Sequence, residues 1–193
     1  QSHRMRWAHV QRANAFQYDR TALTLLSTPL YSNTTLVSFF PTLAGGGTVA
    51  LMKKFDARKF LELASSLRAT HAMLVPVQYH RIMTQPDFDS FDLSNFRMKF
   101  CTSAPFSGAL KSDVLKRWPG GLVEYYGMTE GGGSCVLVAH EFPHKVDTVG
   151  RPAEGHDIRL IDENGVEVGP GEIGEIVGFS GAIMNGYHNQ PGK

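Results

Sequence analysis

The sequence predicts an α/β fold, a doubly wound and mostly parallel sheet followed by the start of an antiparallel, β-barrel-like subdomain. Three observations carry this reading. Five short apolar runs of strand length alternate with helical patterns between residues 22 and 126. Glycine or proline punctuates most of the junctions. After Gly133 three more strand-like runs follow with no helix between them.

Residues 3–18 place Trp7, Val10, Ala13, Asn14 and Phe16 loosely at helical spacing, which predicts a first helix. Ala22 to Ser27 is an apolar run before Pro29, a strand. Leu36 to Leu43 has a helical face closed by Gly45-Gly46-Gly47. Thr48 to Met52 is the next strand. Asp56 caps a helix with Phe60, Leu63, Ala64 and Leu67 on one face. His71 to Val75 is a strand stopped at Pro76, and Val77 to Thr84 a short helix. Met98 to Thr102 is the fourth strand. Ser107 caps a helix through Trp118, with Leu110, Val114 and Leu115 inside and Gly120-Gly121 ending it. Leu122 to Tyr126 completes the series. Ser134 to His140, His156 to Asp162 and Gly174 to Ser180 then read as strands, with Glu163-Asn164-Gly165 a hairpin turn. The expected division is an α/β subdomain over 1–140 and the start of a barrel-like one over 141–193.

Composition bounds the function. A chain of 193 residues with 42% hydrophobic and 19% charged residues is globular rather than disordered. The 19 basic and 18 acidic residues are dispersed, giving a net charge of +1, so no basic run exists to track nucleic acid. Cys101 and Cys135 lack metal-like spacing and fit a reducing compartment. No apolar run is long enough to span a bilayer and no signal peptide is present, so a cytoplasmic location is expected. The chain begins without Met inside a helical pattern and stops at Asn189-Gln190-Pro191-Gly192-Lys193, just after a strand signal. The expectation is a piece of a longer protein.

The chemistry gathers at strand ends. Tyr125-Tyr126-Gly127-Met128-Thr129-Glu130-Gly131-Gly132-Gly133 leaves the fifth strand. It offers a ring for a base, a hydroxyl for a phosphate, a carboxylate for hydrated magnesium, and bare backbone. Alone, it reads equally as a strand, a glycine turn and two surface polar residues. A second corner, Thr102-Ser103-Ala104-Pro105, and a third, Pro29-Leu30-Tyr31-Ser32-Asn33-Thr34, follow other strands. Ligands bind outside the carboxyl ends of parallel strands, so three such corners favour a pocket. His140 and His144 are four apart but Pro143 separates them, which argues against zinc. No G-x-S-x-G elbow occurs, and Gly45 to Gly47 lacks the phosphate-loop pattern.

With these motifs in order, the chain resembles the central part of the adenylate-forming superfamily, and above all the fatty- and aryl-acid CoA ligases. Ser2-His3 is similar to the segment after that family's phosphate loop, Pro29-Leu30-Tyr31 to its acid-pocket motif, and Ser103-Ala104-Pro105 to its adenine-side loop. Tyr126-Gly127-Met128-Thr129-Glu130 matches Y-G-x-T-E. Gly150-Arg151-Pro152, Gly171 to Ile176 and Gly186-Tyr187 match later motifs.

The resemblance implies activation of a small-molecule carboxylic acid by ATP and Mg2+ to an acyl-AMP, then transfer to CoA. It implies Thr129 and Glu130 as catalytic residues, with Glu130 holding the metal. Ser103, Ala104, Pro105, Tyr125, Tyr126, Gly127, Met128 and Thr129 would bind the nucleotide. Tyr31, Ser32, Asn33, Phe100, Gly131 and Gly132 would line the acyl pocket. Ser32 stands where many of these ligases have His. The family's phosphate loop would precede Gln1, and its ribose-binding Asp, hinge and catalytic Lys would follow Lys193. These residues alone are therefore expected to be inactive. The rival reading is a non-catalytic nucleotide-binding module of the same fold.

Overall fold

The computed structural model describes residues 2–11 and 13–190. Five parallel strands alternate with helices: β1 (Leu23–Leu26), α2 (Asn33–Ala44), β2 (Thr48–Leu51), α3 (Ala57–Ser66), β3 (His71–Leu74), α4 (Pro76–Met83), β4 (Met98–Cys101), α5 (Gly108–Arg117) and β5 (Gly121–Gly127). A helix α1 (His3–Gln11) precedes them. β6 (Ser134–Val138) and β7 (Arg151–Pro152) then add antiparallel to the same sheet, in the order β2-β1-β3-β4-β5-β6-β7. β8 (His156–Ile161) and β9 (Glu175–Ser180) form a separate antiparallel pair.

The central strands are buried on both faces, and the pleat sorts their side chains in alternation. Leu25, Ala72, Leu74, Cys101 and Leu122 point toward α3, α4 and α5. Leu26, Met73, Phe100 and Val123 point to the other face, beneath α2 and the segment around Tyr18. Trp118 sits edge-on to Phe60, Phe88 and Phe96 in the first core. Such a two-faced parallel sheet with helices on both sides is the doubly wound architecture.

Local signals hold in detail. Asp56 accepts the Lys59 amide at 2.8 Å, and Ser107 accepts that of Leu110 at 3.3 Å, each satisfying an orphan donor of its helix. The Glu163-Asn164-Gly165 turn is closed by Asp162, whose Oδ1 accepts the amides of Asn164 and Val166 at 2.9 and 2.8 Å.

Several boundaries move. α2 begins at Asn33, not Leu36, which draws one predicted corner into a helix start. On α3 the buried residues are Phe60, Leu61 and Ala64, while Leu67 caps the end and is exposed. The first helix stops at Gln11; the 3–18 span also includes Arg12, outside the described residues, and is followed by a 3-10 turn at Asn14–Phe16. The last three residues of the terminal Asn189 to Lys193 stretch also lie outside them. β7 lies beyond residue 140 yet pairs with the large sheet.

Among the described residues two lysines are buried, a feature that composition could not reveal. Lys99 Nζ donates to the carbonyls of Trp118, Pro119 and Gly120 at 3.1, 2.6 and 2.7 Å, closing the carboxyl end of α5. Lys111 on α5 pairs with Glu124 on β5 at 2.6 Å and donates to the Thr148 carbonyl at 2.9 Å. That second lysine therefore ties a helix, the strand feeding the motif and the β6–β7 connection together.

Candidate nucleotide and acyl site

The three corners converge on one cleft of about 1500 Å³, whose lining includes Ser32, Asn33, Thr102, Ser103, Tyr126 and Thr129. A direct bond joins two of them: Thr34 Oγ1 lies 2.7 Å from Ser103 Oγ. Thr34 can reach across because α2 starts early and places it in the helix's first turn. Ser103 has φ of 81°, a left-handed conformation that is unfavourable for a non-glycine residue. The residue is exposed and lines the cleft. Backbone strain of this kind concentrates at functional sites.

β5 delivers the motif. Successive residues face opposite sides of a strand, yet Tyr125 and Tyr126 both reach the lining of the cleft. Tyr125 stacks on Phe100 with ring centroids 6.0 Å apart, in the second core. Tyr126 is 42% exposed and lies on the cleft with Gly127, Met128 and Thr129. Phe100 and Tyr125 belong to the wall of a small cavity beneath the cleft, shared with Phe16, Tyr18, Val37 and Ser38.

Other predicted residues fall elsewhere. Tyr31 is 90% exposed and outside the lining, as are Ala104 and Pro105, which are exposed beside Ser103. Gly131 lines the cleft and has φ of 79°. A Cβ there would come within 2.0 Å of the Ala182 carbonyl oxygen. Gly132 and Gly133 meet the backbone of Gly178 on β9, and Gly133 also meets Ile158 on β8. The glycine run is thus where the β8–β9 pair approaches the sheet, a packing requirement that the sequence did not disclose.

Glu130 is not in the cleft lining. Its Oε1 accepts a 2.6 Å bond from the Tyr187 hydroxyl, which holds its carboxyl below the ordinary glutamate range. A charged, solvent-facing carboxylate suits Mg2+, which keeps several of its waters and takes few protein ligands. The exposed Tyr126 ring, the Thr129 hydroxyl and the exposed Ser103 suit a nucleotide. The residues present therefore fit both groups.

Further lining comes from α1, through Arg4, Met5 and Trp7 among others. The readable signal was negative: α1 buries only Met5, so it has no broad apolar face to give it another task. Tyr187 belongs to the Gly186-Tyr187 motif, which by itself gives it no role. Its contact with Glu130 spans 57 residues and leaves no local pattern.

The AMP-binding enzyme family profile matches residues 2–188. A feruloyl-CoA synthase from Amycolatopsis is 37% identical over 171 residues, covering 86% of this chain and 34% of that protein. An indoleacetate–CoA ligase from Aromatoleum aromaticum is 34% identical over 153 residues, 77% of this chain and 29% of its own. The fold superposes on an amide bond synthetase from Marinactinospora thermotolerans with a TM-score of 0.85 at 28% identity, covering 97% of this chain and 39% of that one. The chain spans about a third of the length of the curated relatives it matches. A profile match over nearly every residue, joined to these identities and to one cleft formed by the family's motifs, places this chain in the AMP-binding enzyme family.

Proposed function

We propose that the full-length protein carrying this chain is an AMP-forming acid–CoA ligase for an aromatic carboxylic acid. The observation that carries the reading is the convergence of Tyr126, Thr129, Ser103 and Ser32 on one cleft, with Thr34 and Ser103 bonded across it. In the first half-reaction a carboxylate oxygen attacks the α-phosphate of ATP and pyrophosphate leaves. In the second, the CoA thiol attacks the acyl carbonyl, AMP leaves and the thiol proton passes to solvent. Chemistry of this kind rests on positioning and charge stabilisation.

Tyr126 stacks on adenine, with the Ser103-Ala104-Pro105 backbone opposite. Thr129 binds the α-phosphate, and Glu130 holds the magnesium ion that neutralises phosphate charge. Ser32 and Asn33 border the acid, while Phe100 and Tyr125 pack in the core beside them. Relatives named for ferulate and indoleacetate favour an aryl acid over an alkyl chain. Residues 1–140 serve as the α/β subdomain and 141–193 as the start of the barrel-like one, with β7 of the latter completing the large sheet. Among the described residues no helix is long and apolar enough to cross a membrane. A cytoplasmic location accords with two free cysteines.

The test is product formation by the full-length protein with ATP, Mg2+, CoA and a panel of aryl and alkyl acids. Aryl-CoA thioester together with AMP is the expected result. ATP binding without thioester for any acid would favour the non-catalytic module instead.

A further inference from the structure

The end of β9 and the segment after it are fastened to the end of the motif by three contacts and to α1 by a fourth. Ser180 Oγ donates to the Gly131 carbonyl at 2.6 Å, and the Met184 amide to the Glu130 carbonyl at 2.8 Å. Tyr187 OH donates to Glu130 Oε1 at 2.6 Å. From the other side, Arg4 Nη2 donates to the Gly181 carbonyl at 2.8 Å. Gly131, with φ of 79° and no room for a Cβ beside Ala182, lets the two backbones meet. Residues 180–187 thus form a strap buckled across Glu130 and Gly131, and the strap ends on the carboxylate itself.

A glutamate side chain on an exposed turn ordinarily samples several rotamers. Here one oxygen is held by a short, charge-assisted bond whose donor is anchored by backbone bonds on the same strap. An ionised carboxylate offers about four acceptor sites over two oxygens, so the phenol occupies only one of them. The orientation is fixed while capacity for a cation, direct or through its water, remains.

We propose that Tyr187 is a positioning residue, which presents the Glu130 carboxylate to the nucleotide-bound metal ion. This rests on the role given to Glu130 above. The ring is 46% exposed and hydroxyl removal opens no cavity, so Tyr187→Phe preserves packing.

The experiment measures Mn2+ binding by electron paramagnetic resonance in the full-length protein, with a non-hydrolysable ATP analogue present. Loss of an outer partner of a metal ligand lowers affinity roughly 10–100-fold, so Tyr187→Phe should raise the Mn2+ Kd about tenfold. Its melting temperature and its affinity for the analogue without metal should match the parent. In a Glu130→Gln background the same change should do nothing further, as expected for a residue acting through its neighbour. An unchanged Kd, a tighter one, or an effect that persists undiminished in Glu130→Gln would overturn the proposal. A tighter Kd would mean that the phenol competes with the cation. Should the parent bind the analogue without recruiting Mn2+, the Glu130 assignment falls. Should it bind no analogue, the ligase reading falls with it.

Discussion

Replacing Lys111 with Met removes one partner of a buried ion pair. The side chains of Lys111 and Glu124 are 1% and 4% exposed, and their atoms are 2.6 Å apart. The substitution also deprives the Thr148 carbonyl of its donor. Removing one member of such a pair costs about 3–5 kcal/mol, because the other is left as an uncompensated buried charge. For a unit of this size that corresponds to a fall of about 6–20 °C in thermal midpoint, at ~2–4 °C per kcal/mol.

The loss should depend on pH. Burial already pushes the Glu124 carboxyl up, and its bond and attraction to Lys111 oppose that rise. Without Lys111 the folded-state value climbs further above the unfolded one. A group raised in the folded state contributes stability below its unfolded pKa and loses it as pH rises through the folded value. Lys111→Met should therefore lie nearest the parent in mild acid and furthest below it at neutral pH. Adding Glu124→Gln removes the orphaned charge and should restore most of the midpoint. Scanning calorimetry from mild acid to neutrality decides it. A Lys111→Met midpoint equal to the parent's at pH 7, or a deficit that grows toward acid, would refute the reasoning.

Two site predictions follow. Tyr126→Ala should raise the ATP requirement about 5- to 150-fold, since base–aromatic stacking is worth about 1–3 kcal/mol, whereas Tyr126→Phe should change it little. Equal steady-state ATP dependence in Tyr126→Ala and the parent would remove the ring from the adenine site. Ser32 borders the cleft at the start of α2, so Ser32→Phe should shift the preference among acids of different size and leave ATP affinity alone. An unchanged acid profile in the folded variant would place Ser32 outside the acyl pocket.

What could be read in the sequence was whatever acts over short range. The Asp56 and Ser107 caps bond to amides three residues away, and the Gly165 turn is closed within five residues, so residue type and spacing suffice. The double burial of β1, β3 and β4 shows as short runs that are apolar except at Thr24, His71 and Lys99. Long-range compensation left no such trace. Lys99 and Lys111 read as surface residues would, and the carbonyls at 118–120, the Glu124 carboxylate and the Thr148 carbonyl allow them inside. The Pro29 to Thr34 corner was found, but its link to Ser103 required α2 to begin three residues early. Gly131 and Gly132 are expected at the acyl pocket; Gly131 lines the cleft, and Gly132 and Gly133 admit the β8–β9 pair, which no local pattern reveals.

The most direct test of the central claim is acid-dependent exchange of radiolabelled pyrophosphate into ATP, comparing the full-length parent with its Glu130→Gln variant. Exchange requires acyl-adenylate formation to be reversible on the protein, so it reads the first half-reaction without CoA. The account predicts exchange that needs both an aryl acid and Mg2+, falling steeply in Glu130→Gln with a raised metal requirement, and none from residues 1–193 alone. Exchange that is indifferent to Glu130, or acid-dependent exchange by residues 1–193 alone, would contradict it.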